Sequence, residues 1–311
     1  MLELLPLLAF LLIAFSIGSN DTSNAFGICI GCRIISVRKA AILLFLLVLI
    51  GLNLQGSRVM KTVGENLVET NVAISAMALM ISALIVVFTN IRGIPVSTHQ
   101  VIVGSLSGAG IAFGTQLSFK TLAEIVISWI LSPLIAGILA ILLLISIERV
   151  SRKLGVLEFE KFLRILLLCS GMLIAYNMGA NELATAIAPF MATKKDLGLI
   201  SVLGAVSISL GALALSRRIS ETLCRGITSI DPKTGFSAHF GAGICVYIFT
   251  LFGMPVSTTY ALIGGISSVG LVKSARTVNF KKIQEVVANW VFAPLIAFSL
   301  AFTASKVYFG I

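Results

Sequence analysis

The chain has 311 residues, 58% of them hydrophobic and 12% charged, with a mean hydropathy of +1.05 and a net charge of +10. A soluble domain carries about 25% charged residues and about 45–50% apolar ones, so a soluble enzyme is excluded. Disorder is excluded by the same figures, because it needs low hydrophobicity and high net charge; a polytopic membrane protein remains.

Taken in chain order, stretches without Asp, Glu, Lys or Arg cover 4–20, 40–57, 70–91, 93–119 and 125–147, then 165–181, 197–216, 234–272 and 286–305. A helix crossing the hydrocarbon needs about 20 apolar residues, and these runs supply them. Barrel strands would alternate apolar and polar residues over about 10 positions, a pattern this chain lacks. The N-terminal apolar stretch has no basic leader and no small-residue cleavage site, so it reads as a retained first helix. Basic residues gather between the runs, at Arg33/Arg38/Lys39, Arg149/Arg152/Lys153, Lys194/Lys195, Arg217/Arg218 and Lys281/Lys282. They fit cytoplasmic loops obeying the positive-inside bias better than a nucleic-acid surface. Cys29, Cys32, Cys169, Cys224 and Cys245 form no even framework, and the lone Cys29-x-x-Cys32 reads as small packing residues.

The sequence is internally duplicated. Gly93-Ile-Pro-Val-Ser-Thr98 recurs as Gly253-Met-Pro-Val-Ser-Thr258, and Gly104, Ser107 and Gly110 recur as Gly264, Ser267 and Gly270. Trp129 and Pro133 match Trp290 and Pro294, Glu124 matches Glu285, and Gly18-Ser-Asn20-Asp21 matches Gly179-Ala-Asn181-Glu182. Matched blocks in the same order define two repeats, 1–150 and 151–311, joined by a charged connection at about 148–164. The fold class expected is an all-α polytopic membrane protein of two homologous, inverted repeats, with about 10–12 membrane segments. The apolar pieces 22–32 and 183–193 are too short to span alone and are expected to be broken or re-entrant helices, giving six pieces per half. Inversion requires each half to cross an odd number of times.

Asp21 and Glu182 stand in apolar surroundings at equivalent repeat positions, each preceded by an asparagine. An ionisable group at membrane depth marks a functional site by default. A carboxylate, an amide oxygen and backbone carbonyls at a helix break are what a hard cation such as sodium takes; the alternative is a loop end facing water. In the Pro-Val-Ser-Thr blocks, proline interrupts a helix and the following Ser and Thr cap the next one. The N–H groups at that helix start are unpaired and partly positive. Two such half-helices facing each other would hold an oxyanion; helix packing by small polar residues is the alternative. His99 follows the first block and reads as a bystander or accessory donor, since Thr259 replaces it in the second repeat; His239 reads as structural. Glu124 and Glu285 suit the first turn of the last helix of each half, Trp129 and Trp290 suit interfacial anchors, and Pro133 and Pro294 suit kinks.

Gly18-Ser-Asn-Asp-Thr-Ser-Asn-Ala25 and Gly179-Ala-Asn-Glu-Leu-Ala-Thr-Ala186 resemble the duplicated GANDxANA signature of the inorganic phosphate transporter (PiT) family, and the G-[IM]-P-V-S-T blocks resemble its GLPVSTTH motif. The resemblance covers nearly the whole chain. It implies a symporter importing phosphate with sodium, or in some members protons, through inverted repeats assembled as a homodimer in the plasma membrane. Carried over by position, it implies sodium ligation by Asn20, Asp21, Asn181 and Glu182. Phosphate would bind near Ser97, Thr98, Gln100, Ser257 and Thr258, with Asn24 and Thr185 one turn on from the asparagines and facing the same site. Glu182 and Thr185 stand where Asp and Asn are common, and Asn53 and Gln55 occupy an area where members carry a membrane Glu before a Gly-Ser like Gly56-Ser57. The long hydrophilic loop that many members carry between the halves is absent. Some relatives move sulfate, so a transporter of sulfate or another oxyanion with the same fold, coupled to sodium or to protons, is the nearest alternative. An anion channel would be opposed by the two acids. A membrane-embedded enzyme would need a nucleophile–base pair or a metal cluster, so no enzymatic activity is expected.

Overall fold

The structure, a computed structural model, describes residues 4–92, 96–191, 196–226, 232–273 and 280–310. Gly93–Pro95 of the first Pro-Val-Ser-Thr block, Lys194 and Lys195 lie outside the described residues, as do the side chains of Arg217, Arg218, Cys224, Lys281, Lys282 and Glu285. Among the described residues there is no strand; ten helices follow one another, five from each half.

The first half contributes α1 (Leu4–Gly31), α2 (Val37–Asn66), α3 (Val72–Arg92), α4 (Thr98–Ala112) and α5 (Phe119–Ser151). The second contributes α6 (Val156–Phe190), α7 (Leu197–Gly226), α8 (Pro232–Leu251), α9 (Thr258–Lys273) and α10 (Phe280–Phe309). Eight are long and apolar enough to cross a membrane. The exceptions are α4 with 15 residues and α9 with 16, about 22–24 Å at 1.5 Å per residue against about 30 Å of hydrocarbon. The turn between α5 and α6 falls inside the charged segment 148–164.

Two expectations are corrected. The piece 22–32 is not separate, because α1 runs unbroken through Asp21 to Gly31. The piece 183–193 likewise continues α6, which widens to π-type turns at Met178–Leu183 and tightens at Ala188–Phe190. Each half therefore has five membrane elements, not six. The interruptions fall instead between α3 and α4 and between α8 and α9, at the Pro-Val-Ser-Thr blocks. Glu124 is also displaced from its expected place: Ser118 caps α5 and the helix starts at Phe119, so Glu124 lies beyond the first turn.

The inversion is visible in how equivalent helices run. Gly171 of α6 packs on Ala25 and Phe26 of α1, and the Cys29 thiol meets the Leu167 carbonyl, so residue numbers rise on one helix as they fall on the other. The first helices of the two halves are thus antiparallel. Between the halves the packing is swapped. A Cβ on Gly18 would lie 1.8 Å from the Ile208 carbonyl oxygen, and one on its equivalent Gly179 would lie 1.9 Å from that of Val48. Gly104 of α4 would meet the Pro294 oxygen at 2.4 Å and Gly264 of α9 the Pro133 oxygen at 2.2 Å. Backbones approach this closely only where a residue without a side chain allows it. Each of these four glycines therefore locks its helix onto the other half. Pro133 itself leaves the Trp129 carbonyl without a helical partner, and Ser132 supplies one at 3.4 Å.

Candidate functional site

The half-helices α4 and α9 run alongside α10 and α5 respectively, each in the same direction as its neighbour, and their N-terminal ends meet in the middle of the protein. The Tyr260 hydroxyl on α9 donates to Gln100 Oε1 on α4 at 3.3 Å and lies beside the Ser97 backbone. Each end presents unpaired first-turn N–H groups with about half a positive charge. Ser257 is the N-cap residue of α9 and its hydroxyl accepts from Tyr260 N–H at 3.4 Å. Ser97 occupies the same place on α4 in extended geometry, but its hydroxyl makes no capping bond.

The two acids close on this meeting point from α1 and α6, and their carboxyl groups adjoin. Asp21 Oδ1 accepts from Asn24 Nδ2 at 2.9 Å and from the Thr259 hydroxyl at 3.0 Å, while Asn24 also donates to Thr259 at 2.8 Å. Glu182 Oε1 accepts from the Thr258 hydroxyl at 2.6 Å. These donors explain how two carboxyl groups sit in continuous helices inside an apolar protein, where an unpaired charge is costly.

Several buried polar atoms here have no hydrogen-bond partner among the described residues: Ser97 Oγ, His99 Nε2, Gln100 Nε2 and Glu182 Oε2. A buried polar atom without a partner carries a desolvation cost and needs an explanation. Three of these four atoms belong to the first turn of α4 or its cap, and the fourth is a carboxylate oxygen. Unpaired hydroxyl and amide donors facing two helix N-termini suit an oxyanion; adjoining carboxylates suit a cation.

The structure brings together Asp21, Asn24, Glu182, Ser97, Gln100, Ser257 and Thr258, with Thr98 half-buried on the same turn. Asn181 is fully buried, and its amide is engaged by the turn between α8 and α9. Its Nδ2 donates to Thr250 Oγ1 at 2.7 Å and the Met254 carbonyl at 2.9 Å, and its Oδ1 accepts from Val256 N–H at 3.1 Å. Thr185 is buried, with its hydroxyl donating to the Asn181 carbonyl at 2.8 Å. Asn20 differs from its repeat equivalent Asn181, being exposed.

Sequence reasoning left several residues out. Thr259 and Tyr260 bridge the acids and α4, and their position directly after the second block was the available signal. His99 lies beside Asn181. His239 joins Ser170 of α6 at 2.9 Å to the backbone carbonyl of Asn24, which fits its expected structural role and places it behind the acid site. Trp129 is corrected from interfacial anchor to a buried residue whose Nε1 donates to the Pro255 carbonyl at 2.8 Å. Arg58, an ionisable residue within an apolar span, donates to the Leu251 carbonyl at 2.5 Å.

Comparison with known proteins bears on this geometry. The model of the phosphate transporter family matches the chain twice, over residues 17–158 and 155–301. A Methanocaldococcus jannaschii protein with the provisional name phosphate permease is 35% identical over 97% of this chain and 96% of its own length. The sulfate permease CysP of Bacillus subtilis is 30% identical over 97% of this chain and 86% of its own. The solved structure of a sodium-dependent phosphate transporter superposes with a TM-score of 0.82 at 21% identity, covering 100% of this chain and 99% of that one, which shows a shared fold. The two family matches fall one on each repeat and include both sets of signature residues gathered at the centre. This chain therefore belongs to the phosphate transporter family and is a multi-pass membrane transporter, not an enzyme.

Proposed function

We propose that the protein imports inorganic phosphate together with sodium by alternating access. The observation that carries this reading is the meeting of two half-helix N-termini, with unpaired Ser97 and Gln100 atoms, beside an adjoining carboxyl pair. Phosphate is assigned to Ser97, Thr98, Gln100, Ser257 and Thr258, with Asn24 and Thr185 flanking it. Sodium is assigned to Asp21 and Glu182, with amide oxygens from Asn20 and Asn181. A cation between the carboxylates offsets the charge that the anion brings, so each ligand raises the affinity of the other. The anion is held by hydroxyls and backbone N–H groups without a permanent cationic side chain, so it can also leave.

The similarity to a sulfate permease makes sulfate the second reading. Phosphate at neutral pH keeps P–OH groups that the neighbouring carboxylates can accept, whereas sulfate offers no proton and leaves those acceptors unpaired. The assembly is read as a homodimer in the plasma membrane, and the repeat boundary as lying near residue 150.

The test is uptake of labelled phosphate into proteoliposomes under an inward sodium gradient, and with sodium replaced by choline. Sodium-dependent accumulation resistant to excess sulfate is expected. Accumulation that ignores sodium, or that sulfate abolishes, would contradict the coupling or the substrate respectively.

A further inference from the structure

The turn between α8 and α9 is held by three different helices. Arg58 of α2 donates to the Leu251 carbonyl, Asn181 of α6 donates to Thr250 and the Met254 carbonyl and accepts from Val256 N–H, and Trp129 of α5 donates to the Pro255 carbonyl. Two of these residues, Trp129 and Asn181, have repeat equivalents that do not make the same bonds among the described residues. Trp290, equivalent to Trp129, lies tilted against Tyr260 with ring centroids 5.0 Å apart, and its Nε1 is buried with no partner among the described residues. Asn20, equivalent to Asn181, is exposed, and beyond the helix's own backbone bonds only its carbonyl is engaged among the described residues, accepting from the Ser23 hydroxyl. The difference extends to the surroundings. Thr258 and Thr185 are fully buried, whereas their equivalents Thr98 and Asn24 are half-buried.

We propose that Trp129 and Arg58, together with Asn181, form a latch on the turn 250–257 that seals the second-half face of the site. Transport exchanges this latch: it releases as Trp290 and Asn20 take the corresponding bonds in the first half. The physical basis is that inverted repeats with the same sequence elements can adopt each other's conformations, so that what is sealed on one face becomes sealed on the other. The buried Nε1 of Trp290 is the second observation, since an indole N–H can only donate, and left buried without an acceptor it is costly. Asn181 also belongs to the proposed cation site, whereas Trp129 and Arg58 touch neither anion nor cation. They act as positioning residues, setting which face is open. The proposal rests on the transport reading only in requiring access from two faces, and it does not depend on the solute.

Ala184 provides the readout. It is fully buried beside Gly56, while its repeat equivalent Ser23 is half-buried. In A184C, a small maleimide therefore reacts only from the opposite-facing state. The rate is followed by peptide mass at position 184, so the native cysteines do not interfere. The measurement uses full-length protein in nanodiscs without phosphate, sulfate or sodium, and so is independent of the substrate assignment. Removing one hydrogen bond of the latch by W129F, which keeps an aromatic ring in place, is expected to speed labelling about fivefold. R58A, at an exposed position, should act in the same direction and guards against a packing defect in W129F. W290F removes a bond that the proposal places only in the opposite-facing state, so it should slow labelling, and an unchanged rate would overturn the exchange. Labelling unaffected by both W129F and R58A overturns the latch. Equal acceleration by W129F and W290F overturns it too, returning both tryptophans to simple packing.

Discussion

The two turns at which α4 and α9 begin carry the same Val-Ser-Thr residues and lie in different surroundings. Ser257 caps its helix, and Thr258, fully buried, bonds Glu182. Ser97 leaves its hydroxyl unpaired, and Thr98 is half-buried. Sequence identity at five of six positions thus does not impose one environment; each motif's state is decided by what the opposite half places beside it. An inverted pair of repeats makes that difference useful, because a single chain can present one sealed and one open face around a shared site.

The comparison can be broken first at its symmetric foundation. Gly104→Leu and Gly264→Leu each force a side chain into the carbonyl of a crossing proline, Pro294 or Pro133. Overpacking costs about 1–3 kcal/mol and more where backbone must move, so both variants should lose most folded protein in detergent by size-exclusion chromatography. A large loss in one and none in the other would deny the two-fold packing.

Next come the acids. Asp21→Asn and Glu182→Gln should each lower sodium-driven uptake by about 100-fold or more, as removal of a charged ligand costs about 3 kcal/mol, with membrane insertion intact. Wild-type uptake in both variants contradicts the cation assignment.

A smaller effect distinguishes the two turns. Thr258→Val leaves Glu182 without its hydroxyl donor and should destabilise the protein by about 1–3 kcal/mol, seen as a lower melting temperature. Ser97→Ala removes a hydroxyl with no partner among the described residues and should leave the melting temperature unchanged. Combined with Thr98→Ala, it should raise KM for the anion about fivefold for each donor lost. An unchanged KM would return Ser97 and Thr98 to packing. Smallest of all, Ser257→Ala removes a weak cap and should cost about 0.5–1 kcal/mol, whereas Ser97→Ala costs nothing measurable in stability.

Much of this was legible in the chain because duplication doubles every signal. Asn20-Asp21 with Asn181-Glu182, and the two Pro-Val-Ser-Thr blocks, point to one central cluster before any coordinate is known. Less legible was the continuity of α1 and α6. An acid within an apolar run reads as a break when its donors are out of sight, and the hydroxyls that satisfy Asp21 and Glu182 come from Thr259 and Thr258, more than seventy residues away in sequence. The function of Trp129 was hidden for the same reason: its acceptor is a backbone carbonyl 126 residues distant, which no local pattern encodes. Arg58 could have been singled out as a charge inside a span, but its acceptor Leu251 lies in the other half.

The central claim is that one cluster binds anion and cation together and that Asp21 links them. Calorimetric titration of phosphate into the detergent-solubilised protein, with sodium and with choline, measures this directly. Sodium should tighten phosphate binding at least fivefold in the wild type, the lower end of typical coupling energies, and should have no effect in Asp21→Asn. Phosphate affinity that is the same with and without sodium in the wild type, or that responds to sodium equally in Asp21→Asn, would contradict the account.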